Sequence, residues 1–315
     1  MPKFNYGGQA LIEGVLMRGR NAIAVAFRHP DGRIVWASEP LNTGPHGWRL
    51  ANAPFVRGLV VLYETLVIGT RWLVRSANLQ AAGDDGAGEE LGKGTVTLML
   101  GLTLLLGVGF FFIVPLVIAQ AATGNSGSWL QHLIEGVVKV ALFLGYLALI
   151  SRASDIQRVF QYHGAEHMSI HALEAGESLT TANVRRHPTA HPRCGTEFLV
   201  VLVALSIVAF ALVGKQPPLV GIVSRIVLIP VLAAVGYEVL RWGARHRSNA
   251  IVAAVMWPGI LVQKITTKQP SDDQIEVAIV SLQQALEADG ETVPNGSDAP
   301  DRAPLDPVTT AAAPA

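Results

Sequence analysis

Thr95–Ala122 reads TVTLMLGLTLLLGVGFFFIVPLVIAQAA and carries no charged side chain from end to end. About 20 residues of helix cross a bilayer core, so this run is long enough to span one. Leu133–Ile150, Phe198–Val213 and Leu219–Leu240 have the same character, the third being short enough to borrow residues from its flanks. The whole chain agrees: of 315 residues, 50% are hydrophobic and only 15% charged, and the mean hydropathy is +0.38, outside the range of an ordinary soluble domain. The expected fold class is mainly α, a polytopic membrane protein with about four transmembrane helices.

Basic residues set the orientation. They are frequent before the first run, absent from Thr123–His132, present five times between Ser151 and Glu197, and frequent again after Leu240. The positive-inside rule then puts both termini and the segment after the second run in the cytosol, across a bacterial inner membrane. The opening MPKFNYGGQALIEG lacks the charged start and apolar core of a signal peptide, which agrees with a cytosolic amino terminus. Lys139 and Arg225 lie inside apolar runs and should face a bundle interior or snorkel outward. Twenty-four basic and 24 acidic residues balance, so nothing points to nucleic acid. A single cysteine excludes an intrachain disulfide framework and fits a reducing compartment.

Outside the spans the chain divides further. Residues 1–53 read as a cytosolic β element. Its glycine-rich Tyr6–Arg20 is a packed loop or a place of close backbone approach, and Ala22–Arg28 and Arg33–Ser38 form a hairpin about Pro30-Asp31-Gly32. In 54–76, Arg57, Glu64 and Arg71 recur every seven residues on one face of an amphipathic helix. That helix should lie at the membrane interface with its charges toward water and Trp72 as an anchor, or pack on the bundle. Residues 77–94 read as a flexible acidic linker, 95–150 as the first two spans, 151–197 as a cytosolic His/Cys helix-loop, and 198–240 as the last two. In 241–288, Ala250–Ile265 is broken by Pro258-Gly259 and short for a span, so it should be interfacial or re-entrant, with a fifth span as the alternative. A capping box at Ser271–Gln274 then opens a helix whose Ile275, Ala278, Ile279, Leu282 and Leu286 make one apolar stripe for docking on the cytosolic domain. Residues 289–315, rich in Ala, Pro, Asp and Thr, should be disordered.

The chemistry concentrates in Asp155–Phe198, DIQRVFQYHGAEHMSIHALEAGESLTTANVRRHPTAHPRCGTEF. On a helix the H-x-x-E-H of His163, Glu166 and His167 sets two imidazoles one turn apart with a carboxylate beside them. Two such imidazoles can hold one divalent metal while the carboxylate acts as general base toward water. The plain alternative is a solvated helix that happens to carry these residues, and Gly164 is a poor helix former. His191-Pro-Arg-Cys194 adds an imidazole and a thiol at short spacing, suited to Zn first and to Fe or Mn as alternatives, the other reading being a merely buried or exposed cysteine. Glu238, at the cytosolic end of the fourth run, is a candidate further ligand or substrate contact, or an ion-pair partner of Arg241 or Arg245. Asp155 either orients an imidazole from behind or caps its helix.

GGQALIEGVLMRG, DIQRVFQYHGAEH, HPRCGT, the GYE of the fourth run and ITTKQPSDDQIEVAI together resemble the YqhQ-like family of bacterial membrane proteins, from Tyr6 to about Leu286. The resemblance implies a metal-dependent protein without an established reaction. The family's motif positions fall on His163, Glu166, His167, His191, Arg193 and Cys194, while Met168 stands where the family has a basic residue. His171 and His187 fall outside the motif and are set aside as ligands. Two functions follow. One is a membrane-embedded metal-dependent hydrolase acting on a membrane-associated or lipid-linked substrate. In it His163 and His167 hold the metal, Glu166 activates water, and Glu238, His191 or Cys194 completes the shell. Arg193 then stands by the substrate. The other is a metal carrier, sensor or scaffold with a structural His/Cys site. A fully protein-ligated site favours the second and an open position the first. The lipid bilayer is the one expected partner, and the oligomeric state is not legible.

Overall fold

Strict alternation in the amino-terminal segment sends Val15, Met17, Ala24 and Ala26 to one face of a sheet and Leu16, Ile23, Val25 and Phe27 to the other, all of them buried. The computed structural model describes residues 4, 6–41, 48–82, 92–124, 129–214, 216–246 and 248–305. In it β1 (Gly7–Leu11), β2 (Gly14–Arg18), β3 (Ala22–Arg28) and β4 (Ile34–Pro40) form an antiparallel meander, and β5 (Arg302–Pro304) pairs parallel to β4. The expected two-stranded hairpin is thus part of a five-stranded sheet. Tyr6–Arg20, read as a loop, supplies β1 and β2, because glycines at 7, 8 and 14 mask a β pattern without preventing pairing.

Helices cover both faces. On the Val15 face lie α5 (Ser154–Glu174), the short α6 (Thr181–Val184) and α10 (Asp272–Ala288), which buries Ile275, Ala278, Ile279, Leu282 and Leu286 and opens with the expected capping box. On the Leu16 face, α1 (Val56–Ala82) contributes buried Trp72 with Ile68 and Leu79. Residues far apart in the chain therefore share one α/β domain. The disorder expected from 289 onward is also overturned up to residue 305. Asp289 accepts hydrogen bonds from the Tyr6 hydroxyl and from the backbone N–H groups of Arg20 and Asn21, and β5 gains order from main-chain pairing, which needs no apolar side chains. Residues 306–315, and 83–91 of the expected linker, lie outside the described residues.

The polarity of α1 is the reverse of the water-facing stripe expected from its charges. Arg57 pairs with Glu238, Glu64 with Arg18 at 2.6 Å, and Arg71 with Glu39, so all three charges point into the protein. Trp72 is no membrane anchor: it packs on Phe27 and donates its indole N–H to Glu39 at 2.9 Å. Leu59, Tyr63, Leu66 and Leu73, spaced as one helical face, are the exposed side.

Among the described residues four helices are long and apolar enough to cross a bilayer: Gly94–Thr123, Trp129–Ile150, Gly195–Val213 and Leu219–Arg245. The first joins α2 (Lys93–Val108) to α3 (Val114–Thr123) through a π-helical turn, Gly109–Ile113, beside Pro115, whose ring nitrogen cannot donate to the preceding turn. The others are α4 (Trp129–Ile150), α7 (Gly195–Val213) and α8 (Pro218–Arg245). Lys139 faces inward as expected, 4.9 Å from the Phe210 ring centroid and 3.3 Å from Ser206 Oγ; the side chain of Arg225 lies outside the described residues. Pro258 does not break α9 (Ala250–Thr266), which is one helix packed along α7 with Gly259 against Glu197. At 17 residues it is about 25 Å long.

Gly164 explains why a poor helix former sits in the middle of α5. A Cβ there would lie 2.1 Å from the Lys268 carbonyl oxygen, in the link between α9 and α10. Gly164→Ala should therefore lower the thermal unfolding temperature, corresponding to about 1–3 kcal/mol of overpacking, although Ala is the better helix former by about 1 kcal/mol. An unchanged or raised unfolding temperature would contradict this contact.

Candidate metal centre

Along α5 the core takes Tyr162, Ala165, Met168 and Leu173, and the opposite side carries His163, His167, His171 and Glu174. Backbone carbonyls then fix the rings. Thr266, in the last turn of α9, has a carbonyl with no partner inside its helix, and it lies 2.8 Å from His163 Nδ1. The Thr189 carbonyl lies 2.6 Å from His167 Nδ1. A carbonyl only accepts, so both rings carry a proton on Nδ1, which leaves Nε2 as the nitrogen that a metal would use. That is the form in which imidazole ligates a metal, with the second nitrogen held by a carbonyl. Burial, followed by the neighbouring imidazoles, holds the pKa of His167 well below the usual histidine range and so keeps it neutral.

Cys194 caps α7. Its Sγ accepts from the Thr196 N–H at 3.3 Å and lies 3.2 Å from His163 Nε2. Burial pushes the thiol up, against the pull of Thr196. A donor atom from each of His163, His167 and Cys194 lies within 4.8 Å of the others, the separation a single ion requires. Glu166 is outside this trio but lines the same cavity of about 40 Å³. Burial pushes its carboxyl up to about 7, opposed by His163 and by a hydrogen bond from the Gly8 N–H. Position 8 must be glycine, since a Cβ would lie 2.2 Å from the Leu16 carbonyl oxygen. The donor set fits a divalent ion of the Zn type: two imidazoles and one sulfur, with space beside them.

Not every expected residue joins. His191 lines the cavity, but its Nδ1 accepts from the Arg193 N–H at 3.3 Å, which leaves the proton on Nε2, donated to Glu174 at 3.3 Å. It stands outside the His163, His167 and Cys194 group. His171, set aside earlier, stands with His191 and Glu174 in a second cluster of metal-binding dimensions. There, however, the Arg193 guanidinium already pairs with Glu174, and the His191 proton points at the same carboxylate. That chemistry describes a hydrogen-bonded salt bridge rather than a cation site. Glu238 is corrected too: it is bound by Arg57 and by the Phe55 N–H at 3.0 Å, a partner on α1 rather than Arg241 or Arg245. Asp155 is exposed in the first turn of α5, bonded to the Ser154 hydroxyl at 3.2 Å, about two turns from His163.

Other contributors were not expected. Gln263, fully buried in apolar α9, accepts from the His191 N–H at 2.8 Å and donates to the His191 carbonyl at 3.0 Å, locking the HPRC loop to α9. A lone amide in an apolar run was its one sequence signal. Thr189, Thr266 and Gly8 act through main-chain atoms and leave no such mark.

Four helices long and apolar enough to cross a bilayer, joined to an α/β domain with a His/His/Cys pocket where the two meet, are compatible with a membrane protein that carries a candidate metal centre. The chain belongs to the family of proteins of unknown function DUF1385, whose model matches residues 53–288. It is also 32% identical over 292 residues to the uncharacterized protein YqhQ of Bacillus subtilis (strain 168), covering 89% of this chain and 92% of that one. No solved structure matches.

The geometry separates the two loop residues. Cys194→Ser should lower bound zinc per chain severalfold in dialysed, detergent-purified protein, whereas His191→Ala should leave it within about a fifth of wild type. The reverse order would show that the wrong side chain has been placed in the trio.

Proposed function

We propose that the chain is a metal-dependent hydrolase of the bacterial inner membrane, its pocket at the cytosolic surface and both termini in the cytosol. The observation that carries this reading is the convergence of two imidazoles and one sulfur with a buried carboxylate outside them. Structural sites close with four protein ligands; catalytic sites use three and leave one position for water or substrate.

His163, His167 and Cys194 would hold the ion, and a divalent cation bound there supplies Lewis-acid polarisation of water and of the substrate carbonyl. The work of the chain is to place and to move a proton. Glu166, whose carboxyl lies near 7 through burial, takes a proton from water as the water oxygen bonds to the acyl carbon. It then returns that proton to the leaving oxygen or nitrogen as the scissile bond breaks. Arg193, on the cavity rim and paired to Glu174, is placed to meet an anionic part of the substrate. Cys194 is the cap of the membrane-length helix α7, so the pocket would lie at bilayer level and favour membrane-associated or lipid-linked substrates.

Elemental mass spectrometry of wild type beside His163→Ala/His167→Ala should find near-stoichiometric metal in the first and little in the second. Glu166→Gln should keep the metal and lose at least about 100-fold in turnover of membrane-associated esters and peptides. Full activity in Glu166→Gln would remove the proposed base. No metal in folded wild type, after supplementation with Zn, Fe and Mn, would remove the hydrolase reading.

A further inference from the structure

We propose that the apolar face of α1, with Phe55 at its head, is seated in the cytosolic leaflet of the bilayer, so that lipid is the partner this surface takes. The proposal rests on the reading that the four long helices cross the membrane. A hydrocarbon core takes about 20 residues of helix, and counted from Leu219 of α8 these end at Glu238. At that level α1 is joined to α8. Arg57 and the Phe55 N–H both bind the Glu238 carboxylate, and Gly58 abuts Tyr237, where an added Cβ would lie 2.7 Å from the Tyr237 Cβ. The helix therefore starts at the edge of the apolar layer.

What α1 presents there is apolar. Leu59, Tyr63, Leu66, Val67 and Leu73 are exposed and fall within about a third of the helix circumference. Every charged side chain of α1 is turned elsewhere: Arg57, Glu64 and Arg71 into their ion pairs, and Arg75 over the Trp72 ring at 4.9 Å. Single exposed apolar residues are ordinary on a water-facing surface; a continuous row is not. Phe55 extends the row. Its φ of +66° is a left-handed conformation that residues with a Cβ adopt rarely, its N–H is held by Glu238, and it is 52% exposed. The strained turn thus keeps an aromatic ring outward at the membrane boundary. Trp242, one turn beyond Glu238, is exposed at the same level, where aromatic residues favour the interface. Were α1 to run straight on into water, Leu66 and Leu73 would lie about 12 and 22 Å past the boundary. Laid along the surface, all five side chains reach lipid, as in a helix seated about 5–10 Å into the leaflet. The seat also bears on the pocket: Gly69 of α1 abuts Gln9 of β1, the strand whose Gly7 and Gly8 line the cavity.

The test is spin labelling of full-length protein in vesicles of phosphatidylcholine and phosphatidylglycerol, using Leu59→Cys, Leu66→Cys and Leu73→Cys in turn. Val227→Cys, on the exposed side of α8, is the lipid reference and Arg33→Cys, beside the β3–β4 turn, the water reference; unsubstituted protein gives the background of the buried Cys194. Power saturation compares collisions with oxygen, which concentrates in lipid, and with nickel ethylenediaminediacetate, which stays in water. The three α1 sites should follow Val227, favouring oxygen about threefold or more, with Arg33 reversed. Photolysis of p-benzoylphenylalanine placed at position 55 should add the mass of one phospholipid, a second readout that uses none of the cysteine variants. A nickel preference on α1 with Val227 still in lipid would overturn the proposal alone. A nickel preference at Val227 as well would take down the four-span reading on which it rests. Exclusion of both reagents from α1, with a dimer cross-linked through position 55, would also overturn it and assign the face to a second copy of the chain.

Discussion

Two hydrogen bonds from imidazole to backbone carbonyl, His163 to Thr266 and His167 to Thr189, govern the chemistry of this molecule. Each fixes a tautomer, and the tautomer decides which ring atom has a lone pair to offer. The two carbonyls come from opposite sides, one from the end of α9 and one from the loop that precedes α7. Consequently α5 acquires a metal-type face only when the helices around it are in place. Gln263 clamps that loop to α9 through both main-chain atoms of His191, and Gly164 lets the α9–α10 link touch α5. The pocket is thus a product of the join between the membrane-length helices and the α/β domain, and neither part contains it alone.

The join is reinforced by ion pairs that hold α1 with its charges inward. Arg57 reaches α8, while Glu64 and Arg71 reach the sheet. Half-buried pairs of this kind contribute modestly to stability, since desolvation offsets much of the attraction. They do determine which face of α1 turns outward. That face is apolar.

Local pattern made much of this legible. The long apolar runs, the capping box at Ser271, the stripe of α10 and the H-x-x-E-H spacing all rest on neighbours in sequence, and the structure contains each of these elements. What escaped depends on distant partners. Nothing near Glu238 names Arg57, 181 positions away, and nothing in Arg302–Pro304 names β4. The heptad of charges on α1 was visible, but its direction was not, because periodicity identifies a stripe without saying what it faces. His191 shows the finest limit: its place beside the pocket was foreseen, but not the Arg193 N–H and the Glu174 carboxylate that its two ring nitrogens face.

The central claim is that His163, His167 and Cys194 hold one ion and leave a position open. X-ray absorption at the metal edge of zinc-loaded protein tests it most directly. The account predicts two imidazole nitrogens at about 2.0 Å, one sulfur at about 2.3 Å and one light oxygen or nitrogen scatterer. A shell without sulfur, or one with a third imidazole in place of the light scatterer, would contradict it.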